Sequence, residues 1–333
     1  MFKKQNETCT EISVRKAARF LKQKDNYIIL THASPDGDTL GCAFALFYAL
    51  KDMGKKVCVM CPDELPNKFD YFTTQTDVVP ENNATVISVD VADLNLLGDL
   101  REKFADRIEL AIDHHISNKR FSKMLLLDIN AAAACQIIYL VLKSMGAKIT
   151  DIIAKCLYTG IATDTGCFKY QNVTAQTHII ASKLIEFNIN SADINKKMFD
   201  TKSKNLLTLE RMVLDSAEYH FCDKCMLLTV TEEMQKETGC KGPDLDGIAV
   251  ISRSVEGVIC GITIKQNAPE TFKISMRTYA PLDASVICAS LGGGGHKAAA
   301  GATLTGTLKD VKEQVLQSVK QAMEEANVGI SSC

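Results

Sequence analysis

The chain has 333 residues, of which 46% are hydrophobic, and its length favours a two-domain protein with a core in each domain. With 38 basic and 40 acidic residues, the formal net charge is −2, so no strong positive field draws in duplex nucleic acid. No stretch approaches the ~20 apolar residues of a membrane span, and the polar N-terminus is unlike a secretion signal. We therefore expect a cytoplasmic protein without membrane association.

Strand-like and helical segments alternate along the first half of the chain. The predicted strands cover residues 27–31, 56–60, 85–90 and 109–112. The predicted helices cover residues 10–23, 38–53, 94–104, 131–145, 151–162 and 174–187. Strands that alternate with helices predict an α/β domain, with a parallel sheet covered by helices on both faces. We place this domain at residues 1–190.

The second half of the chain is predicted to form a smaller α+β domain. Polar turn-forming residues at 188–193 introduce a predicted linker over 191–214, and the second domain is predicted to span 215–333. Its predicted strands cover 226–231, 258–265 and 272–277, and its predicted helices cover 244–253, 282–291 and 308–326.

Histidine and aspartate side chains follow several of these elements at the point where each ends. They are His32, Asp36, Asp38, Asp90, Asp113, His114, His115 and Asp164. In open α/β sheets, ligands bind beyond the carboxyl ends of the strands, so these side chains are expected to converge. Imidazole and carboxylate groups without thiolate suit Mn²⁺, with Mg²⁺ or Co²⁺ as alternatives. For Asp38, the competing interpretation is a helix N-cap in an ordinary turn.

These segments resemble the motifs of the DHH phosphoesterases, in the order in which that family has them. Residues 32–41 match the pattern HxxPDGDxxG, Asp90 matches a lone aspartate, residues 113–115 read DHH, and residues 163–166 match a fourth motif. Residues 291–301, which contain GGGGH, are similar to the signature of the associated DHHA1 domain. The chain most resembles the stand-alone two-domain members of about this length.

The resemblance implies a pair of divalent metal ions bridged by Asp90, and Mn²⁺ is the preferred candidate. One ion would be held by His32, Asp36 and Asp90, and the other by Asp38, Asp90, His114 and Asp164. Asp113 would orient a neighbouring histidine. His115 would face the scissile phosphate as a hydrogen-bond donor or proton source.

The resemblance also implies substrate contacts in the second domain. Consecutive glycines allow backbone amides to form a nest for a phosphate, here Gly293, Gly294 and Gly295, and His296 adds a polar contact. Arg277 lies in a predicted strand where the family has a substrate arginine, and arginine suits bidentate phosphate binding. The active-site cleft would lie between the two domains.

The implied function is hydrolysis of very short RNA (nanoRNA) and of 3′-phosphoadenosine-5′-phosphate (pAp). Two alternatives stay open: a phosphodiesterase for cyclic di-AMP or its linear product pApA, and a nucleotide-binding regulatory protein without activity. A manganese pyrophosphatase is disfavoured, because the glycine-histidine segment is typical of a nucleic-acid-type second domain. The sequence does not set the native metal or the oligomeric state, and a homodimer is one candidate.

Overall fold

The structure is a computed structural model that describes residues 9–240, 245 and 247–329. The chain divides into two compact units between Thr201 and Lys202. The segment predicted as a linker, residues 191–214, contains helical structure on both sides of this division. Within the described part of the chain, no helix is both long enough and apolar enough to cross a lipid bilayer.

The strands of the first unit form a parallel sheet. They are β1 (Thr10–Glu11), β2 (Asn26–Leu30), β3 (Lys56–Met60), β4 (Thr85–Val89), β5 (Ile108–Asp113) and β6 (Met124–Leu127). Their order is β1-β6-β5-β4-β2-β3, and every neighbouring pair is parallel. The predicted parallel sheet is therefore confirmed. Prediction from the sequence missed β1 and β6, because segments of two and four residues are too short to show a period.

The helices of the first unit agree in position with most of the predicted ones. They are α1 (Val14–Gln23), α2 (Gly37–Asp52), α3 (Leu100–Phe104), α4 (Ala134–Met145), α5 (Asp151–Asp164), α6 (Ala175–Ile185) and α7 (Ser191–Asn195). The predicted helix over 94–104 is instead a 3₁₀ turn at Leu94–Leu97 followed by α3. Gly98 separates the two with a φ of +50°, a backbone conformation that a continuous helix does not contain.

Alternate residues of the central strands face two different cores. In β2, Ile29 packs into a large cluster with residues of α2, α4 and α5, such as Leu46. The neighbouring Ile28 packs with Leu97 and Phe104 on the opposite face. Both faces of the sheet are thus covered, as predicted, which leaves the ends of the strands for a site.

The second unit is a mixed sheet with helices. Its strands are β7 (Glu218–His220), β8 (Cys225–Val230), β9 (Cys260–Ala268), β10 (Thr271–Thr278), β11 (Gly294–His296) and β12 (Ala299–Thr305). Their order is β11-β12-β10-β9-β8-β7; β8 and β9 pair in parallel, and the other neighbours are antiparallel. Its helices are α8 (Lys204–Asp215), α9 (Glu232–Thr238), α10 (Ile248–Ile251), α11 (Ala284–Ser290) and α12 (Leu308–Glu325).

This arrangement confirms an α+β second unit, although β7, β11, β12, α8 and α9 were not predicted. Of the predicted helix over 244–253, the structure shows α10, and residues 244 and 246 lie outside the described residues. One face of the sheet buries Ile274 and Met276 against residues of α12 such as Val315. On β10 the opposite face carries Ser275 and Arg277, which are partly exposed.

Candidate functional site

The loop after β2 leads into helix α2, which has a side-chain N-cap. Asp36 is the N-cap of α2, since its Oδ1 accepts hydrogen bonds from the backbone amides of Asp38 at 2.9 Å and Thr39 at 3.0 Å. The competing interpretation of Asp38 as the N-cap is therefore wrong, because the N-cap lies two residues earlier, at Asp36. Asp38 lies in the first turn of the helix instead, and its side chain is fully buried. A buried carboxylate needs partners, and the structure supplies them.

The amino-terminal end of α4 holds the Asp38 carboxylate. Its Oδ2 accepts from the amide of Ala134 at 2.5 Å, and its Oδ1 accepts from the amide of Cys135 at 2.8 Å. These amides belong to the first turn of a helix, where backbone N–H groups lack a partner within the helix and the dipole favours an anion. The carboxylate is thereby fixed in direction before any ligand binds.

Glycines let α2 approach α5 closely. A Cβ atom added at Gly41 would lie 2.5 Å from the carbonyl oxygen of Cys156, and one at Gly37 would lie 2.4 Å from Oγ1 of Thr163. Because both neighbours belong to α5, a larger side chain at either position would force α5 or its Thr163 side chain to shift. The close approach brings Asp38 of α2 near Asp164 at the carboxyl end of α5.

Asp90 faces two histidines with its two oxygens. Its Oδ2 lies 3.7 Å from Nε2 of His32, and its Oδ1 lies 3.6 Å from Nε2 of His114. The residue follows β4 directly and has a φ of +56°, which is uncommon outside glycine. Strained backbone of this kind clusters at functional sites, where it aims a side chain. Here it directs a buried carboxylate to the middle of the cluster.

Both histidines present Nε2 to the carboxylates, because their other ring nitrogen is occupied. Nδ1 of His32 lies 2.8 Å from the carbonyl oxygen of Ala33, and Nδ1 of His114 lies 3.1 Å from that of Ala131. A carbonyl oxygen only accepts hydrogen bonds, so Nδ1 must carry the proton in each ring. In the neutral form, Nε2 then has a free lone pair, which is the usual state of a metal-ligating histidine.

The structure brings the six predicted metal ligands together. His114 Nε2 lies 3.3 Å from Oδ2 of Asp164 and 3.9 Å from Oδ2 of Asp38, and His32 Nε2 lies 3.7 Å from Oδ1 of Asp36. Ligand atoms within 4.8 Å of one another occur in the group His32, Asp36 and Asp90, which is the first predicted set, and in the group Asp38, His114 and Asp164, which is the second predicted set without Asp90.

The electrostatics of this cluster fit a divalent cation. Burial, and then the charge of Asp90, raise the pKa of Asp38 to about 7. Burial and the neighbouring carboxylates likewise raise the pKa of Asp164 well above its usual value. Among the described residues, the buried atoms Asp90 Oδ1 and His114 Nε2 have no hydrogen-bond partner. Crowded carboxylates and an unpaired imidazole nitrogen are the donor set that a metal ion would satisfy.

His115 lies beside this ligand set, close enough to Asp90 and His114 to form a further group of possible ligand atoms, and its ring is oriented by Asp113. Nδ1 of His115 donates to Oδ1 of Asp113 at 2.8 Å, and Oδ1 of Asp90 lies 3.5 Å from the same nitrogen. Burial alone would lower the pKa of His115, but the bond to Asp113 and the charge of Asp90 outweigh it and raise the pKa to about 9. The same imidazole keeps the pKa of Asp113 below its usual value despite burial. His115 is therefore oriented with Nε2 available to a ligand.

Sequence reasoning missed two asparagines that support the cluster. Asn118 donates from Nδ2 to Oδ2 of Asp113 at 2.6 Å. Asn172 donates from Nδ2 to the carbonyl oxygens of Ala132 at 2.9 Å and Asp164 at 3.1 Å. Asn118 could have been suspected from its place in the loop after the DHH motif. Nothing in the sequence points to Asn172, which lies in a turn after α5.

In the second unit, Arg277 and His296 lie in one row across the sheet. Arg277 of β10 pairs with Gly261 of β9 and with Ala299 of β12, and Ala299 pairs in turn with His296 of β11. Directly paired residues point to the same face, and two strand spacings separate β10 from β11 by about 10 Å. An arginine and a histidine thus flank a small residue on one face of the sheet.

The glycine run differs from the predicted nest. Gly294 and Gly295 belong to β11, and the amide of Gly293 donates to the carbonyl oxygen of Cys288 at 2.8 Å. A Cβ atom at Gly293 would lie 2.1 Å from the carbonyl oxygen of Gly301, and one at Gly295 would lie 2.5 Å from Cα of Ala300. These glycines therefore permit β11 to approach β12, whereas a Cβ atom at Gly294 would meet nothing within 4 Å.

Models of two known domain families match this chain, one in each half. Residues 26–161 match the model of the DHH family N-terminal domain, and residues 230–325 match that of the DHHA1 domain. A crystal structure of an exopolyphosphatase-related protein from Bacteroides fragilis superposes with a TM-score of 0.84 at 24% identity, covering 94% of this chain and 95% of that one. This likeness shows that the two proteins share a fold.

Two curated relatives extend over almost the whole chain. The bifunctional oligoribonuclease and PAP phosphatase NrnA of Thermus thermophilus is 31% identical over 321 residues, which cover 94% of this chain and 95% of the relative. The protein of the same name from Mycoplasma genitalium is 27% identical, with 93% and 98% covered. The chain is thus a member of the DHH family, with an N-terminal DHH domain and a DHHA1 domain.

Proposed function

We propose that the protein is a metal-dependent phosphoesterase that hydrolyses short oligoribonucleotides and pAp. The observation that carries this proposal is the position of Asp90, whose two oxygens face His32 and His114 respectively. A single carboxylate between two sets of ligands is what a pair of cations about 3.5–4 Å apart requires. The substrate class comes from the relatives, which are named as oligoribonucleases and PAP phosphatases.

In this proposal, the chain holds two divalent ions, with Mn²⁺ preferred for its mixed imidazole and carboxylate ligands and Mg²⁺ or Co²⁺ as alternatives. When bound, such ions lower the pKa of a water molecule and neutralise charge on the phosphate. One proposed set of ligands is His32, Asp36 and Asp90. The other is Asp38, His114 and Asp164 together with Asp90, whose Oδ1 lies 3.6 Å from Nε2 of His114.

His115 contributes a proton or hydrogen bond to the scissile phosphate group. Its Nδ1 is engaged by Asp113, so Nε2 is the atom that meets the substrate. Asp113 is fully buried and also accepts from the amides of His114 and His115, which keeps the turn and the ring in one orientation. Asp113 thus acts as a positioning residue for His115.

Arg277 and His296 of the second unit bind a terminal phosphate of the substrate. Arginine recognises phosphate through paired N–H donors, and the small side chain of Ala299 between the two leaves space for the group. The exposed backbone at Gly294 adds an unobstructed surface beside His296. A site that anchors a phosphate at one end favours short single strands, and the net charge of −2 gives duplex nucleic acid no general attraction.

The test is hydrolysis by the purified full chain with added Mn²⁺. The substrates are pAp, pApA, RNAs of increasing length and cyclic di-AMP, and the control is the Asp90→Ala variant. Preference for pAp and for the shortest RNAs supports the proposal. Cleavage mainly of cyclic di-AMP would replace it with turnover of a signalling nucleotide.

A third outcome would reject enzymatic function altogether. If the wild type and Asp90→Ala give the same rate on every substrate, the cluster does not catalyse hydrolysis. A nucleotide-binding regulatory protein would then be the better description. Measuring equilibrium binding of the same nucleotides would then distinguish a regulatory protein, which binds them, from an inactive preparation, which does not.

A further inference from the structure

We propose that Tyr279, with Arg253 against its ring, is a stacking platform for the base of the nucleotide whose phosphate Arg277 binds. The inference rests on the proposed function, since it extends the same nucleotide site. It adds an element that recognises the base, and it predicts that a nucleotide binds with higher affinity than the corresponding sugar phosphate.

The first argument is the direction of the side chains along β10. Met276 and Thr278 are buried, at 0% and 3% exposure, whereas Arg277 is partly exposed and Tyr279 is 48% exposed. The backbone of Tyr279 continues the strand ladder, because its amide donates to the carbonyl oxygen of Ile259 at 2.9 Å. Residues two apart in a strand point to the same face. Tyr279 therefore stands on the same face as Arg277.

The second argument is distance. Two residues of extended strand span about 6.5–7 Å, so the side chains of Arg277 and Tyr279 leave the sheet about that far apart. In a nucleotide, the phosphate and the base are separated by one ribose. This separation is similar to the distance between the two side chains along the strand. A nucleotide lying along β10 would therefore place its phosphate at Arg277 and its base at Tyr279.

The third argument is the contact of the ring with Arg253. The guanidinium carbon of Arg253 lies over the ring of Tyr279, 5.8 Å from its centroid. Such a cation–π contact restrains the ring, so less conformational freedom is lost when a base stacks on it. Arginine also stacks on bases itself, and every base has a face that an aromatic ring can contact. The platform should therefore accept any base.

The test compares AMP with ribose 5-phosphate, which share the phosphate and sugar and differ in the base. Binding of each to the full chain is measured by calorimetry in the presence of chelator, so that no turnover interferes. Stacking on one aromatic ring corresponds to about 5- to 150-fold in affinity. We expect the wild type to prefer AMP by a factor in this range and Tyr279→Ala to lose the preference. Tyr279→Trp should keep it.

Matched variants separate the platform from other effects. Tyr219→Ala removes another exposed tyrosine of the second unit, 46% exposed on β7, and should keep the preference for AMP. Arg277→Ala should weaken both ligands, because both carry the phosphate. The proposal is overturned if the wild type binds both ligands equally, or if Tyr279→Ala still prefers AMP.

These outcomes are independent of catalysis. A chain that binds AMP through Tyr279 but hydrolyses none of the substrates would reject the proposed function and keep the platform. Conversely, hydrolysis with no dependence of AMP binding on Tyr279 would keep the proposed function and reject the platform. Thermal unfolding of Tyr279→Ala alongside the wild type confirms that the variant is folded when binding is measured.

Discussion

Asn118 donates a hydrogen bond of 2.6 Å from Nδ2 to Oδ2 of Asp113. The other carboxylate oxygen of Asp113 accepts from His115, so an amide, a carboxylate and an imidazole form a continuous chain. Nδ2 of Asn118 also donates to the carbonyl oxygen of Val91 at 3.2 Å. This second bond ties the loop after β5 to the segment that follows Asp90. The orientation of the His115 ring thus depends on a residue three positions further along the chain.

The first prediction concerns Asn118→Ala, which removes this donor while leaving every proposed ligand in place. We expect kcat for pApA to fall about 10- to 100-fold, because Asp113 is less firmly held and His115 loses its orientation. KM and Mn²⁺ affinity should change little. The matched control is Asn82→Ala at an exposed position of the same unit. A fall in Mn²⁺ affinity as large as the fall in kcat would show that Asn118 supports the whole cluster instead.

The second prediction concerns Asp90→Asn, which removes one charge with almost no change in size. Asparagine tolerates the φ of +56° at this position, so the fold should be retained. We expect Mn²⁺ to raise the unfolding temperature of the wild type and to have no such effect on the variant, because binding to the folded state alone stabilises it. Differential scanning calorimetry with Mn²⁺ and with chelator measures this. An equal Mn²⁺ shift in both proteins would contradict a central role for Asp90.

The third prediction separates the adjacent histidines of the DHH motif. His115→Gln should lower kcat by about 10²- to 10⁴-fold, as expected for loss of a proton donor, and should leave Mn²⁺ affinity near that of the wild type. His114→Gln should weaken Mn²⁺ binding itself, because its Nε2 faces Asp90 and Asp164. Titration calorimetry with Mn²⁺ and single-turnover rates distinguish them. His178→Gln, at an exposed position, is the control. The same changes in kcat and in Mn²⁺ affinity for His114→Gln and His115→Gln would refute the division of roles.

The fourth prediction tests the close approach of α2 and α5. Gly41→Ala places a methyl group 2.5 Å from the carbonyl oxygen of Cys156, a backbone atom that cannot rotate away. We expect a loss of about 1–3 kcal/mol in the free energy of unfolding, measured in urea. Mn²⁺ affinity should fall as well, since Asp38 and Asp164 move apart.

Gly247→Ala is the control for this variant, because an added Cβ there meets nothing within 4 Å. The free energy of unfolding of Gly247→Ala should lie within about 0.5 kcal/mol of the wild-type value, as is usual for substitutions at exposed positions. Unchanged stability of Gly41→Ala would mean that the helices separate without cost and that glycine is not needed for their contact.

Much of the fold follows from local pattern. The run at 27–30 is apolar and ends in a turn with proline and glycine, so β2 and the start of α2 were predicted to within a residue or so. The short strands β1, β6 and β11 were not, because a period cannot be read from two to four residues. The glycine run was interpreted by composition, but its pairing with β12 decides its conformation.

The sequence by itself determined the chemistry of this protein: histidines and aspartates of the right type, at the ends of elements whose order identifies the family. Only the tertiary structure decided how each group is held. Helix α4 binds Asp38 through amides remote from it in the chain, and Asn118 and Asn172 support Asp113 and Asp164. The reason is that a residue's type is local, whereas the direction of its side chain depends on contacts that exist only after the sheet and helices have packed.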